Sequence, residues 1–214
     1  DSAGMDLWIA AESATREAID AMLAAMDGLV EGKAVWLLSQ YAPTGTSVFL
    51  ANSMSVRYGE YFWKPGNRGI SIYSNRGANG IDGTLSTAMG VAHGSRKAIL
   101  LAGDLAFLHD SNGLLAGSQM SGSLTVVVIN NRGSGIFEYL PISDQEEVFE
   151  THFATPQTVD FEKLCAAHGV TYERIQDWDT FEEVVSAPPD PGLRVLELKT
   201  DRKADVATLR SLFA

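Results

Sequence analysis

The chain has 214 residues, of which 45% are hydrophobic and 20% are charged, and its formal net charge is −11. This balance is typical of a globular protein with a sizeable core. The excess of acidic residues argues against a nucleic-acid-binding protein and against a polybasic membrane anchor, because both need basic surfaces. A single cysteine, Cys165, excludes a disulfide within the chain and a cysteine-rich zinc site, and it favours a reducing compartment.

The chain opens with a stretch in which apolar residues recur at helical spacing. Leu7, Ile9, Ile19 and Met22 are among them, and the pattern predicts a helix that is closed by Gly28. We therefore treat residues 1–46 as an N-terminal helix with a connecting segment. The remainder, residues 47–214, is expected to be one domain. Because the chain begins with Asp1 rather than Met, we expect it to be a fragment of a longer protein.

Strand-like and helix-like segments alternate from residue 47 onward. Continuous apolar runs predict strands at 47–51, 70–73, 98–102, 124–129 and 193–198, with a weaker candidate at 170–174. Helical patterns fall at 54–63, 85–93, 112–120, 161–168, 181–187 and 204–213, and a proline-rich loop at 187–192. Continuously apolar strands are typical of a parallel sheet that is covered on both faces. The sequence therefore predicts a doubly wound α/β domain with a mainly parallel sheet of about six strands and helices on both faces.

Small, polar or acidic residues follow four of the predicted strands. Asn52-Ser53, Ser74-Asn75-Arg76-Gly77, Gly103-Asp104 and Asn130-Asn131-Arg132-Gly133 come directly after them. Ligands of such sheets bind beyond the carboxyl ends of the strands, so we expect the functional site at this edge.

Asp104 and Asn131 lie at the ends of two successive predicted strands, one helix–strand crossover apart. A carboxylate, an amide oxygen and a nearby loop carbonyl are hard oxygen ligands of the kind that Mg²⁺ prefers. Gly133 stands beside them, where a residue without a side chain lets the backbone approach an ion or a phosphate closely. The pattern predicts a Mg²⁺ site that bridges the protein to a diphosphate.

Three blocks of the sequence resemble the enzymes that depend on thiamine diphosphate (ThDP). They are the segments 74–83 (SNRGANGIDG), 103–110 (GDLAFLHD) and 130–137 (NNRGSGIF). Within that group they are similar to the family of 2-succinyl-5-enolpyruvyl-6-hydroxy-3-cyclohexene-1-carboxylate (SEPHCHC) synthases of menaquinone biosynthesis. Leu105 stands at the third position of the Gly-Asp-Gly motif, where the group usually has glycine. The resemblance runs from about Val48 to the C-terminus and covers the family's diphosphate-binding domain.

The resemblance implies roles for individual residues. Mg²⁺ would be held by Asp104, Asn131 and the carbonyl of Gly133. The cofactor would contact the backbone of Asn79 and Gly80, the side chain of Ile81, and the segment Gly103, Asp104, Leu105 and Ala106. Leu105 and Ala106 would open a helix whose free backbone N–H groups take phosphate oxygens. The substrate side would be formed by the polar residues Asn52, Ser53, Arg57 and Arg76 and by the apolar residues Ile136, Phe137 and Leu140.

The implied activity is the decarboxylating carboligation of 2-oxoglutarate with isochorismate. Both are dicarboxylates, and the guanidinium groups of Arg57 and Arg76 suit carboxylates within an otherwise acidic protein. The glutamate that activates the cofactor lies in a separate pyrimidine-binding domain in this family, and no such domain is recognised in the sequence. We therefore expect half of an active site, completed by a partner subunit in a homo-oligomer. The expected location is the cytoplasm, or a plastid in a photosynthetic eukaryote.

Other interpretations stay open. Gly103-Asp104 alone would more often be a helix N-cap, Arg76 could brace a glycine-rich loop, and Arg57 could be a solvated helix residue. The chain could instead belong to another ThDP-dependent 2-oxo-acid decarboxylase or synthase, or to a non-catalytic α/β nucleotide-binding module. A dinucleotide-binding domain is disfavoured because Gly77–Gly83 lacks the required glycine spacing.

Overall fold

The computed structural model describes residues 2–94, 96–187 and 191–213. Its helices are α1 (Ser2–Ala24), α2 (Glu31–Tyr41), α3 (Met54–Phe62), α4 (Thr84–Ala92), α5 (Asp104–His109), α6 (Glu146–Phe149), α7 (Phe161–Ala167), α8 (Trp178–Ser186) and α9 (Arg202–Leu212). Its strands are β1 (Ser47–Leu50), β2 (Ser71–Tyr73), β3 (Lys97–Gly103), β4 (Ser123–Asn130), β5 (Thr171–Ile175) and β6 (Gly192–Lys199). Three residues of the predicted loop 187–192, namely 188–190, lie outside the described part of the chain.

The six strands form one sheet in the order β2-β1-β3-β4-β6-β5, and every neighbouring pair is parallel. The chain moves outward from β1 to β2 and then returns to place β3 on the other side of β1. This reversal opens a crevice between the carboxyl ends of β1 and β3, which is where doubly wound sheets bind ligands. The predicted fold class is confirmed.

Helices cover both faces of the sheet because the central strands are apolar on both sides. In β3, Ile99 and Leu101 join a core with α2, α3, α8 and α9, whereas Leu100 faces α4, α5 and α7. Strand β4 divides its side chains in the same way. The lone cysteine, Cys165, is buried in the second of these cores.

Several local predictions need correction. Residues 31–41, expected as connecting chain, form the helix α2, and nine of its eleven residues are buried. The segment shows little amphipathic pattern, because apolar residues lie on almost every side of the helix. This is typical of a helix that is buried on most sides. The segment 111–119 is a 3₁₀ helix rather than an α-helix, and short helices occupy 104–109 and 146–149.

Two predictions fail at the margins of the domain. Strand β2, expected to be buried, is an exposed edge strand, because only β1 pairs with it. Helix α1 ends at Ala24 rather than at Gly28, and its first half carries the exposed apolar side chains of Met5, Leu7 and Trp8. Its last turns pack through Leu23 against the first core. Within the described ranges, every helix is too short or too polar to span a lipid bilayer.

Candidate active site

A cavity lies at the carboxyl edge of the sheet, where β1, β3 and β4 end. Its walls come from five segments of the chain. They are Glu31, residues 52–55, Ile81, residues 103–106, and the end of β4 with the loop after it (Ile129, Asn131, Gly133, Ser134 and Gly135). The cavity therefore coincides with the crevice that the strand order creates.

Asp104 ties the ends of β3 and β4 together. Its Oδ1 accepts a hydrogen bond from the backbone N–H of Leu105 at 2.7 Å, and its Oδ2 accepts one from the N–H of Gly133 at 2.8 Å. The side chain is 2% exposed. Burial raises the pKa of Asp104 to about 6, although the backbone hydrogen bonds act in the opposite direction.

The loop after β4 has a backbone that brings it close to Asp104. Arg132 and Gly133 have φ angles of 61° and 129°. A Cβ atom on Gly133 would lie 2.1 Å from the carbonyl oxygen of Ala154, so only glycine fits there. A left-handed Arg132 followed by this glycine is a strained turn of the kind that concentrates at functional sites.

Asn131 lines the cavity, and its two amide atoms have different surroundings. Its Nδ2 donates a hydrogen bond to Oε1 of Glu31 at 2.5 Å. Its Oδ1 is buried and finds no hydrogen-bond partner among the residues that the structure describes. Buried polar atoms in proteins are nearly always satisfied, so a buried acceptor without a donor points to a missing ligand.

Glu31 and Asp205 form a buried acidic pair behind Asn131. The backbone N–H of Glu31 donates to Oδ1 of Asp205 at 2.9 Å, which joins α2 to α9. Burial raises the pKa of the Glu31 carboxyl above its ordinary value, and the nearby charge of Asp205 raises it further. Burial likewise raises the pKa of Asp205. Asp104 and Glu31 line the cavity, whereas Asp205 lies behind Glu31 and does not reach it.

Asn52 organises the other side of the cavity. Its Nδ2 donates to the carbonyl of Gly80 at 2.7 Å, and its Oδ1 accepts from Nη1 of Arg76 at 2.9 Å. The buried Asn52 thus connects the end of β1 to the glycine-rich loop after β2.

Ser53 is held in a conformation that L-residues rarely adopt. Its φ and ψ are 72° and −130°, and Nη1 of Arg57 donates to its carbonyl at 2.6 Å. Such a strained backbone persists only when its surroundings hold it, and here Arg57 supplies the hydrogen bond.

The predicted site residues divide into three groups: those that line the cavity, those that are bonded to the lining residues, and those that lie elsewhere. Those that line the cavity together are Asn52, Ser53, Ile81, Gly103, Asp104, Leu105, Ala106, Asn131 and Gly133. Three do not line it but are hydrogen-bonded to residues that do: Arg57, Arg76 and Gly80. The N–H of Leu105, expected to be free for a phosphate, instead donates to Asp104, because helix α5 begins at Asp104 itself.

The apolar residues expected on the substrate side are not gathered in this cavity. Phe137 lines a neighbouring depression with Ile81, Leu105, His109 and His152. Ile136 packs on the first core, and Leu140 is 47% exposed. Asn79 is also exposed and does not line the cavity.

Sequence reasoning missed Glu31. It stands at the first position of α2, where an acidic residue normally interacts with the helix dipole and solvent. No local pattern distinguishes it from such a residue. Ser55 and Ser134 also line the cavity without having been anticipated.

The donor set fits Mg²⁺. Among the described residues, no three His, Cys, Asp or Glu side chains are grouped so that they could hold a metal, so amide and carbonyl oxygens must contribute. Asp104 supplies a carboxylate, Asn131 its unpartnered Oδ1, and Gly133 a backbone carbonyl on the same loop. Mg²⁺ in proteins usually binds hard oxygen ligands, with few protein charges and with positions left for phosphate oxygens.

Comparison with known proteins identifies the family of this domain. Residues 53–193 match the family model described as "Thiamine pyrophosphate enzyme, C-terminal TPP binding domain". The chain belongs to this family of cofactor-binding domains, and thiamine pyrophosphate is ThDP.

More particular similarity is found with curated SEPHCHC synthases. The chain is 51% identical over 207 residues to that of Gloeothece citriformis, which covers 97% of the chain. It is 48% identical over 213 residues to that of Rippkaea orientalis. In both cases the chain spans only 36% of the relative's length.

Solved structures share the fold at low identity. A thiamin diphosphate-dependent enzyme from Mycobacterium smegmatis superposes with a TM-score of 0.65 over 83% of the chain and 33% of its own, at 18% identity. Benzoylformate decarboxylase from Polynucleobacter necessarius gives 0.63 over 80% of the chain and 33% of its own, at 18% identity. At this identity the likeness extends to the fold alone.

Proposed function

We propose that this chain forms the diphosphate- and Mg²⁺-binding half of a ThDP site in a SEPHCHC synthase. The whole enzyme would join 2-oxoglutarate to isochorismate with loss of carbon dioxide. The similarity to curated SEPHCHC synthases over nearly the whole chain supports this activity. The observation that carries the site is the buried Oδ1 of Asn131, which lacks a partner beside Asp104 and the Gly133 loop.

The residues at the strand ends would hold the metal and the diphosphate. Asp104 would contribute the negative charge, while Asn131 and Gly133 contribute neutral oxygens, so that the remaining positions are left for water and phosphate. The carbonyl of Gly133 already accepts from the N–H of Gly135 at 3.0 Å and retains a second lone pair for a metal. When bound, ThDP supplies the electron sink for decarboxylation and carbon–carbon bond formation.

The residues at the ends of β1 and β2 would orient the dicarboxylate substrates. Arg76 and Arg57 are the cations nearest to Asn52 and Ser53, and guanidinium groups bind carboxylates in a planar, two-pronged manner. Their present hydrogen bonds to Asn52 and to the Ser53 carbonyl would set the angle from which each guanidinium meets a substrate. Ile81, half-buried at the mouth of the cavity, would support the cofactor ring.

A second domain would complete the site, because these residues supply no acid on the far side of the cofactor. We infer that this domain belongs to the same enzyme and comes from a partner subunit of a homo-oligomer. A cytoplasmic location, or a plastid in a photosynthetic eukaryote, would give the enzyme its substrates.

The test is an assay of the protein that contains this chain at its natural length. With ThDP, Mg²⁺, 2-oxoglutarate and isochorismate, we expect SEPHCHC by mass spectrometry and release of one carbon dioxide per product. Pyruvate and benzoylformate in place of 2-oxoglutarate serve as controls. Turnover that prefers either control, or that proceeds equally without isochorismate, would assign the protein to a different ThDP enzyme.

A further inference from the structure

We propose that Glu31 is a positioning residue of the metal site: its carboxyl group holds the Asn131 side chain so that the amide oxygen faces the cavity. The inference rests on the proposed Mg²⁺ site and adds a residue from outside the strand-end motifs. Glu31 belongs to α2, one hundred positions away from Asn131 along the chain.

The hydrogen bond between them selects one orientation of the amide. A carboxyl oxygen accepts from an N–H group, so Nδ2 of Asn131 must point to Glu31 and Oδ1 must point away from it. In the opposite rotation an NH₂ group would face the metal, and the ionised form of Glu31 would face the amide oxygen and repel it. Without Glu31 the two rotations would differ little in free energy, and only one of them can bind a cation.

Close packing supports the same orientation. Glu31 and Asn131 are 6% and 8% exposed, so water competes poorly for their hydrogen bond. A Cβ atom on Gly135 would lie 2.8 Å from Nδ2 of Asn131, which shows how tightly the loop encloses the amide. Among the described residues, Nδ2 of Asn131 therefore has a hydrogen-bond partner and Oδ1 has none.

Glu31 is itself held from behind. Its backbone N–H donates to Oδ1 of Asp205 in α9 at 2.9 Å. This bond uses the main chain, so removal of the Glu31 side chain leaves it in place. Burying an acid near Asp104 and Asp205 is unfavourable, and the hydrogen bond from Asn131 offsets part of this cost.

The proposal predicts a specific loss of metal affinity. In the protein that contains this chain at its natural length, Glu31→Ala should weaken Mg²⁺ binding in the presence of ThDP by roughly 10–100-fold, the usual effect of removing a partner of a metal ligand. Glu31→Gln should remain close to wild type, because its amide oxygen also accepts from Asn131. Titration calorimetry with Mg²⁺, and electron paramagnetic resonance with Mn²⁺, measure the affinity without any turnover.

A double-mutant cycle separates positioning from other roles. If Glu31 acts through Asn131, the variant Glu31→Ala/Asn131→Ala should bind Mg²⁺ no more weakly than Asn131→Ala alone. If Glu31 binds the metal itself, the two losses should multiply and Glu31→Gln should lose affinity as well. Either of these last two results overturns the proposal.

A matched control addresses the stability of α2. Leu38→Ala removes a fully buried side chain two turns further along the same helix and should lower the melting temperature without weakening Mg²⁺ binding. Equal losses of affinity in Leu38→Ala and Glu31→Ala would show that loosening of the helix is the cause, and would overturn the proposal.

Asp104→Ala distinguishes failure of the proposed function from failure of this inference. Retained Mg²⁺ binding in Asp104→Ala would contradict the proposed function. Loss of binding in Asp104→Ala, together with wild-type binding in Glu31→Ala, would contradict this inference alone.

Discussion

Asp104 serves two purposes at the end of β3. One oxygen accepts from the backbone of its neighbour, and the other holds the loop after β4 through Gly133. The same carboxylate is the only charged ligand in the proposed metal site. Structure and chemistry at this edge of the sheet therefore depend on one side chain.

Asp104→Ala should abolish Mg²⁺-dependent ThDP binding, because it removes the charge of the metal site. The variant should still fold, with a loss of about 1–3 kcal/mol from the unpaired N–H of Gly133. Asn131→Ala should bind more weakly than wild type but better than Asp104→Ala, since water can replace a neutral ligand. Calorimetry with ThDP and Mg²⁺ measures the affinities, and wild-type affinity in Asp104→Ala would remove this residue from the site.

The raised pKa of Asp104 predicts a dependence of stability on pH. Between pH 4 and 6 the metal-free folded state keeps a proton that the unfolded state has lost, because the pKa is about 6 in the fold and 3.8 for an ordinary aspartate. The free energy of unfolding should therefore fall as pH rises through this window, by at most about 3 kcal/mol from this group. Saturating Mg²⁺ favours the carboxylate and should remove the decrease.

Urea unfolding at pH 4.5 and 7 measures this effect, with Asp104→Asn as the isosteric neutral control. The variant should show a smaller decrease than the wild-type protein when Mg²⁺ is absent. Identical pH slopes in the two proteins would mean that Asp104 titrates as it does in the unfolded chain.

Arg76 and Arg57 allow a test of the substrate side. Arg76→Ala, and to a smaller degree Arg57→Ala, should lower kcat/KM for the dicarboxylate substrate roughly 10–100-fold, as expected for a lost charged hydrogen bond of ~1.5–3 kcal/mol. ThDP affinity should stay unchanged. Steady-state kinetics of the whole enzyme measure this, with Arg174→Ala on the edge strand β5 as a control that should change neither quantity. Loss of ThDP binding with normal substrate kinetics would show that the roles are reversed.

At the scale of elements, the carboxyl ends of β1, β3 and β4 contribute backbone geometry as well as side chains. Ser53 and Arg132 both have positive φ, and each directly follows or flanks a residue of the cavity. The loop after β4 thereby reaches Asp104, and the turn after β1 is held by Arg57. Strain at these positions is offset by the hydrogen bonds from Arg57 and to Asp104.

Gly133→Ala should disrupt the site through its backbone. The new Cβ would lie 2.1 Å from the carbonyl oxygen of Ala154, and the φ of 129° is unfavourable for alanine. We expect a loss of stability of about 1–3 kcal/mol and a clear loss of Mg²⁺ affinity. Thermal unfolding and metal titration measure both effects.

Gly90→Ala is the matched control, because Gly90 lies in α4 with open space around its Cα. It should raise stability by about 0.5–1 kcal/mol and leave Mg²⁺ binding unchanged. An unaltered Mg²⁺ affinity in Gly133→Ala would show that this loop does not take part in the site.

At the scale of the whole molecule, the cavity opens toward an edge that carries exposed apolar side chains. Leu140, in the loops beyond β4, and Tyr73, at the end of β2, are 47% and 45% exposed. The second domain that we propose would cover apolar side chains of this kind. This is consistent with a site that these residues only half enclose.

Residues 1–214 expressed alone should fold but remain inactive. The all-parallel sheet has a core on each face, so the domain buries enough apolar surface to be stable. In the proposed site, the residues that line the cavity would hold only the diphosphate end of the cofactor, so we expect weak ThDP affinity and no release of carbon dioxide from 2-oxoglutarate. Circular dichroism and a carbon dioxide assay with ThDP, Mg²⁺ and isochorismate test this. Turnover comparable to that of a whole enzyme would show that the chain contains its own activating acid.

The sequence by itself determined the fold class and the strand ends that form the site. Runs such as 98–102 and 124–129 are apolar at nearly every position, and only a sheet covered on both faces can bury both sides of such strands. Polar residues that directly follow these strands must meet at one edge, because all the strands are parallel. Asp104, Asn131 and Asn52 could therefore be brought together from the sequence alone.

Only the tertiary structure decided which residues of the helices reach the site at the strand ends. Glu31 reaches Asn131 from a helix one hundred positions earlier, and Asp205 reaches Glu31 from the last helix. Such contacts depend on how α2 and α9 pack across one face of the sheet, and no periodicity in the chain encodes them. The exposure of β2 and the use of the Leu105 N–H by Asp104 were equally beyond local patterns, because sheet order and loop geometry are set by packing over the whole domain.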